Sequence, residues 1–374
     1  VEPREKADVY VINTCTVTNS GDAKSRKMIR RLIRKNPEAV VAVMGCYAQM
    51  SPEEVFDIDG VDVVIGTTHR EKVVGMVQSV LRERRKIKDV IDVSKYREFD
   101  EMHVTHFTEN TRAYLKIQDG CNNFCSYCII PFARGRVRSR PFDDVIEEAK
   151  NLVKNGYHEI VLTGIHTGGY GTDLEHHTFY DLLNTLSSIK NLQRLRISSI
   201  EMNELTEEII DLIKENDVFA KHLHIPLQSG SDKILRKMKR KYGMKEFVDK
   251  ISQIRDKIPN VAITTDVIVG YPTETDEDFR QMKENIKNLE FSQLHVFPYS
   301  RRSGTVAAKE KEQINGIIKS ARVNELLALN EQLELAFIER SKDVTQQVLF
   351  EQSDESYTYG HSGSYLYIKV AKDT

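Results

Sequence analysis

The chain has 374 residues, with 54 Lys+Arg against 56 Asp+Glu and a formal net charge of −2. That length supports two or three domains with sizeable cores, and the near-balance of charge excludes a polybasic or polyacidic chain, so nucleic-acid affinity could come only from local clusters. No run of about 18 apolar residues and no signal peptide is visible, which argues against a membrane protein and for a cytoplasmic one. The five cysteines suit metal ligation in a reducing compartment better than disulfides.

Residues 1–85 read as strand–helix units, with strands over 7–14, 39–44 and 61–65 and helices over 22–35 and 70–85. Continuous Val/Ile-rich strands alternating with helices predict a parallel sheet covered on both faces. Cys15 follows the first strand and Cys46 the second. Both should therefore lie at the carboxyl edge, where open α/β sheets place ligands. Two buried structural cysteines are the plainer reading, and the shared edge favours ligation.

The charged, weakly periodic stretch 86–112 reads as a linker. A strand over 113–118 then leads directly into Cys121-Asn122-Asn123-Phe124-Cys125-Ser126-Tyr127-Cys128. Three thiols at CxxxCxxC spacing on one short loop can face one object but offer no fourth ligand. Structural zinc requires four, whereas a cubic iron–sulfur cluster can take three thiolates and leave one iron open. A zinc knuckle and a purely structural cluster are the alternatives.

Further strands are expected at 159–163, 194–198, 221–226, 263–269 and 292–297, with amphipathic helices between them. Six parallel strands with right-handed crossovers predict an incomplete (β/α)6 barrel in an overall α/β chain, with its site at the carboxyl ends of the strands. Those ends carry Gly164, Ser199, Glu201, Gln228 and the Val269-Gly270-Tyr271 turn. Glycine there permits close backbone approach, while Glu201 and Gln228 can hydrogen-bond a ribose or an amino-acid head. A helix over 316–342 completes the domain 113–342, and 343–374 alternates in strand fashion, like the start of a small β-barrel or an ordinary terminal hairpin.

Three basic groups stand out: Lys24 to Lys35, the run Arg134, Arg136, Arg138 and Arg140, and Lys233 to Lys241. Such runs are often only solvated faces. The run after the cysteine loop is placed to grip phosphates and orient a single-stranded RNA loop whose base is splayed out. Histidines 103, 106, 166, 222, 224 and 295 show no ligand spacing and read as packing or hydrogen-bonding residues, with His166, in a strand-end turn, the exception.

The CxxxCxxC loop, with aromatic Tyr127 before its last cysteine, resembles that of the radical S-adenosylmethionine (SAM) enzymes. NTCTVT at 13–18, GCYAQ at 45–49, LTGIHTGGYG at 162–171 and RISSIE at 196–201 extend the likeness. Over essentially its whole length the chain is similar to the radical SAM methylthiotransferases, most of all to those acting on N6-threonylcarbamoyladenosine. The resemblance implies two 4Fe–4S clusters. Cys121, Cys125 and Cys128 would hold the SAM-binding one. Cys15 and Cys46, with a third cysteine expected upstream of Val1, would hold an auxiliary one that carries sulfur. It places Gly164 near the methionine end of SAM, Ser199 and Glu201 near its sugar, and Val269 to Tyr271 near its adenine. One SAM would methylate the sulfur and a second would supply the radical that activates adenine C2. The implied partners are tRNA with adenosine 3′ of the anticodon and an electron donor such as flavodoxin or ferredoxin; 343–374 would be a partial RNA-binding TRAM-like domain. A methylthiotransferase for isopentenyladenosine or for a ribosomal-protein aspartate, and a non-catalytic iron–sulfur RNA-binding protein, are the other readings.

Overall fold

Successive residues of a strand point to opposite faces, so the continuous apolar strands of the first sheet feed cores on both of its faces. The computed structural model describes residues 5–100 and 111–372. His103, His106 and part of the expected linker lie outside the described residues. The chain divides into two compact units. One comprises the described residues up to 100 with Asp119–Arg138 and Ser300–Lys309; the other comprises 111–118, Ser139–Tyr299 and the residues from Glu310 onward.

The first unit holds a parallel sheet of Val9–Thr14, Val40–Gly45, Val63–Ile65 and Ile87–Asp89 in sequence order. Val41 and Val43 pack with Ile29 and Leu32 of the helix Asn19–Lys35. Val40 and Ala42 pack with Val77 and Val80 of the helix Val73–Glu83 on the other face. The fourth strand corrects the expected linker boundary. Three residues are too short to show a period in sequence, and Ile87–Asp89 becomes a strand because the edge of Val63–Ile65 accepts it.

In the second unit the six expected parallel strands are present as two three-stranded sheets. Ala113–Lys116, Glu159–Thr163 and Arg194–Ile197 form one, and His222–His224, Ala262–Val269 and Gln293–Pro298 the other. A single bridge, Leu195 to Phe219, continues the first sheet toward the second. Leu115, Leu162, Leu195, Leu223, Ile263, Val267 and Leu294 are buried in one core. By alternation, Glu159, Arg194, Arg196, His222, His224, Thr264, Asp266 and His295 lie on the opposite, inner face. The helix Gly316–Ser341 adds Leu326 and Leu333 to that core. Val348–Ser353, Tyr357–Ser362 and Tyr367–Ala371 form an antiparallel meander consistent with part of a small β-barrel.

At the amino ends of the first three barrel strands, Glu159 receives hydrogen bonds from Arg196 Nε at 2.8 Å and Arg194 Nη1 at 2.9 Å, with Arg112 Nη1 at 4.0 Å. The same guanidiniums donate to carbonyls of the terminal meander: Arg194 to Gln347 at 2.6 Å, Arg196 to Ser362 and Gly363 at 3.2 Å. One carboxylate thus fastens the terminal sheet to the barrel floor. Burial alone would raise the Glu159 carboxyl, but Arg196, Arg194 and Arg112 outweigh it and hold it below the ordinary carboxylate range. Its stabilising contribution is therefore complete above the unfolded pKa and is lost as pH falls through the folded one. Glu159→Gln should cost about 3–5 kcal/mol in urea unfolding, because buried guanidiniums lose their counter-charge. A change below about 1 kcal/mol would mean that the arginines are satisfied by the carbonyls alone.

Candidate functional site

In the first unit, in-register parallel pairing sets Thr14 opposite Gly45, so Cys15 and Cys46 leave neighbouring strands at the same edge. Gly45 has φ +99°, and a Cβ there would lie 2.5 Å from Asn13 Oδ1. Only glycine lets the chain swing Cys46 into the short helix Cys46–Met50 at this point. Cys15 is exposed and Cys46 buried. The loop after Cys15 is clamped by Arg302, whose buried guanidinium binds Thr16 and Asp22, while Thr16 also donates to Asp22 at 3.0 Å. Sequence gave no signal for that clamp, which joins residues far apart in the chain.

Cys121, Cys125 and Cys128 form no disulfide and are half-buried on a loop of the same unit. Phe124 sits in the left-handed region at φ +48°. The Asn123 N–H points at Cys121 Sγ (3.4 Å), the type of donor that supports a thiolate bound to iron. Three thiols on one loop with backbone N–H support fit a three-cysteine cluster. Cys15 and Cys46, side by side at a sheet edge, fit two ligands of another. Tyr127 is half-buried between the last two loop cysteines.

The basic run after this loop is not a solvated rim. Arg138 and Arg140 are only 1% and 2% exposed. Arg140 pairs with Glu148 at 2.7 Å, and Arg138 donates to the Arg134 carbonyl at 2.6 Å beneath the Tyr96 ring. Arg134 is turned inward, its Nε 3.0 Å from Cys46 Sγ and its Nη1 3.1 Å from Asp119. Burial pushes the Cys46 thiol up, and Arg134 opposes that. Only Arg136 is exposed, its guanidinium stacked 4.5 Å from the Phe124 ring centre. The phosphate-gripping expectation thus fails for Arg134, Arg138 and Arg140, whose charges are spent on internal partners.

In the second unit, Gly164 stands where a Cβ would come within 2.9 Å of Gln118 Oε1, the atom that accepts the His166 N–H at 2.8 Å. His166 itself is paired with Glu204. Ser199 and Glu201 follow the third barrel strand, and Glu201 is held by Arg240, whose side chain is 4% exposed although it is one of the residues expected on a solvated basic face. Gln228 has φ +67° and donates its N–H to the Asp266 carbonyl at 2.8 Å. The 269–271 turn is closed by internal partners. Val269 lies in the core with its carbonyl accepting from Tyr299, the Gly270 N–H goes to Glu274, and the buried Tyr271 donates to the Lys237 carbonyl. The Val269 side chain is therefore unable to touch an adenine.

The inner face contains a polar set that the sequence did not assemble. Ligand atoms of His224, Asp266 and His295 all lie within 4.8 Å of one another. His222 Nε2 and His224 Nδ1 both meet Thr264 Oγ1, at 3.2 and 2.9 Å. Burial, with the Arg196 charge next, keeps His222 well below the ordinary imidazole range and so neutral. The Nδ1 of His222 is buried and finds no hydrogen-bond partner among the described residues. It is cheaper there as a bare lone pair than as an N–H, so the proton belongs on Nε2, donated to Thr264. Thr264 then donates to His224 Nδ1, and His224 Nε2–H faces Asp266 at 3.4 Å. A metal on His224 Nε2 would reverse this relay and strand a buried N–H on His222, at about 1–3 kcal/mol. The relay as it stands makes the set a hydrogen-bonding surface. Burial, and His224 beside it, push His295 down as well.

Parallel barrel strands with a three-cysteine loop after the first define a radical SAM enzyme. Family models agree: the Radical SAM superfamily matches residues 115–286, and the uncharacterized protein family UPF0004 matches residues 1–66. The threonylcarbamoyladenosine tRNA methylthiotransferase MtaB of Bacillus subtilis is 47% identical over 97% of this chain and 82% of its own length. The Aquifex aeolicus protein of the same name is 39% identical over 90% of this chain and 82% of its own. A tRNA-2-methylthio-N(6)-dimethylallyladenosine synthase of Clostridium tetani is 38% identical over 87% and 73%. Among solved structures, the radical SAM methyltransferase TsrM of Kitasatospora setae, with cobalamin and a [4Fe-4S] cluster bound, superposes with TM-score 0.59 at 16% identity, covering 79% of this chain and 62% of that one. That likeness concerns the fold alone. The chain belongs to the radical SAM tRNA methylthiotransferase family, whose members use SAM with a 4Fe–4S cluster and carry a second, auxiliary cluster.

Cys125→Ala should abolish 5′-deoxyadenosine formation from SAM in the reduced, reconstituted protein while leaving tRNA retention on a filter nearly unchanged. Continued 5′-deoxyadenosine production would remove this loop from the role.

Proposed function

We propose that the protein adds a methylthio group to C2 of N6-threonylcarbamoyladenosine in tRNA, at the adenosine 3′ of the anticodon. The likeness to the Bacillus subtilis enzyme along nearly the whole chain carries this reading. The inner face of the barrel supports it against the dimethylallyl alternative. His224, Asp266 and His295 offer polar atoms that suit the urea N–H groups and the hydroxyl of a threonylcarbamoyl group. An apolar isoprenoid would leave them desolvated and unpaired, which is how a polar site rejects an apolar analogue.

An aromatic C–H bond resists polar chemistry. When bound, SAM with its cluster supplies radical chemistry, and the auxiliary cluster supplies the sulfur. The residues of the chain have holding and orienting roles. Cys121, Cys125 and Cys128 are the ligands of one cluster, and Cys15 and Cys46 contribute to the other. Glu201, preset by Arg240, suits the hydroxyls of the SAM sugar. An electron donor of the flavodoxin or ferredoxin class completes the system.

For RNA, Arg136 is the member of the basic run left at the surface. The terminal meander adds a second surface. Pairing of Tyr359 with Lys369 and His361 with Tyr367 puts Tyr357, Tyr359, His361, Tyr367 and Lys369 on one face. The Tyr359 and Tyr367 rings stack 6.0 Å apart, and Lys369 Nζ lies 3.5 Å over the Tyr357 ring. Aromatic rings interleaved with a cation suit unstacked bases and phosphate.

The decisive experiment incubates the intact, reconstituted protein anaerobically with SAM, reductant and tRNA bearing threonylcarbamoyladenosine, then identifies nucleosides by mass spectrometry. The expected product is 2-methylthio-N6-threonylcarbamoyladenosine, absent without SAM; 5′-deoxyadenosine without that product would refute the substrate. In the same assay His295→Leu should lower the rate on this tRNA about tenfold, as for loss of one or two hydrogen bonds, and narrow its advantage over dimethylallyladenosine tRNA. Tyr367→Ala should weaken tRNA binding by about 1–3 kcal/mol, measured by fluorescence anisotropy, without changing tRNA-independent SAM cleavage.

A further inference from the structure

The most specific contact of the first unit that this reaction does not yet use is between Arg134 and Cys46. Arg134 ends the short helix Ile130–Arg134 that follows the CxxxCxxC loop. That helix is anchored beside the sheet edge by Thr67, whose hydroxyl donates to the Ala133 carbonyl at 2.7 Å. Gly135, at φ +77°, turns the chain immediately afterwards; a Cβ there would lie 2.4 Å from the Val93 carbonyl oxygen. The guanidinium is aimed by two hydrogen bonds of different kinds, Nε to Cys46 Sγ at 3.0 Å and Nη1 to the buried Asp119 carboxylate at 3.1 Å. The Asp119 side chain is 3% exposed and that of Arg134 17%, so the cation is largely withdrawn from solvent screening.

An arginine spent on an internal ion pair has no need of a sulfur partner. A planar guanidinium holding a carboxylate at one nitrogen and a thiol sulfur at another is a directed arrangement. Hydrogen bonds to cluster sulfurs, and charge near them, are established levers on iron–sulfur potential. We propose that Arg134 is a positioning residue of the auxiliary cluster: its Nε–H bonds the Cys46 thiolate and raises the reduction potential of the cluster that Cys46 helps to hold, with Asp119 setting how much of the arginine charge the cluster feels. The loop carrying the three cysteines of the SAM-binding cluster thereby also supplies the residue that tunes the other cluster. The inference rests on the reading of Cys46 as an auxiliary-cluster ligand.

The test is an EPR-monitored redox titration of the intact protein carrying both clusters. The signal that Cys125→Ala removes belongs to the SAM-binding cluster, so the two are distinguishable. Arg134→Gln should shift the reduced-to-oxidised ratio of the auxiliary cluster toward oxidised by about tenfold at fixed potential, about 59 mV for a one-electron couple. The SAM-binding cluster and its response to SAM should not move. Asp119→Asn should shift the auxiliary cluster the other way, because the arginine charge is then uncompensated. These opposite signs separate tuning from scaffolding, since a scaffold role would give loss of iron in both variants. An unchanged auxiliary potential at full iron content in Arg134→Gln overturns the proposal, as does a shift of the same sign in both variants. Cys46→Ala, which removes the ligand atom outright, is the control on the underlying reading. Retention of both clusters in that variant would defeat the ligand assignment itself, whatever the Arg134 result.

Discussion

Parallel pairing is the constraint from which the positions of the functional residues follow. Strands that run the same way end at the same edge, so residues just beyond them are brought together without any sequence proximity. In the first unit the register that sets Thr14 against Gly45 puts Cys15 beside Cys46. In the second, pairing of His224 with Thr264 and of Asp266 with His295 assembles the polar inner face row by row. A shift of one residue in either register would turn these side chains toward the helices and the apolar ones inward.

Within that frame the charged residues are mainly structural. Glu159 is shared among guanidiniums that also bind the terminal meander. Arg302 clamps the start of the first helix through Asp22, and Arg322 holds the buried Glu274. In a low-dielectric interior an unpaired charge is prohibitive, so each buried arginine has found an anion or carbonyls. This is why a dense basic run need not be an RNA surface. Of Arg134, Arg136, Arg138 and Arg140, the three with internal acceptors are withdrawn, and the one stacked on an exposed aromatic remains outside.

A similar economy governs the inner face of the barrel. The relay from His222 through Thr264 to His224 and Asp266 carries a fixed sense because one buried nitrogen of His222 has no partner among the described residues. That single unsatisfied atom sets the tautomers of its neighbours. It favours a surface that binds by hydrogen bonds over one that binds a metal.

The sequence by itself determined where the strands fall along the chain, the two sets of cysteines and the class of chemistry. These depend on local periodicity and on spacing within one loop, which short stretches carry completely. It placed the six barrel strands to within a few residues, because apolar runs closed by polar turns report burial directly. It missed the strand Ile87–Asp89, too short to show a period, and misjudged Arg134, Arg138 and Arg140, whose exposure depends on Asp119, Glu148 and the 93–96 segment arriving from elsewhere. The tertiary structure alone decided the Arg134–Cys46 contact, the Glu159 charge cluster and the convergence of His224, Asp266 and His295. In each, the partners are distant in sequence, and side-chain direction is set by long-range pairing that no local pattern records.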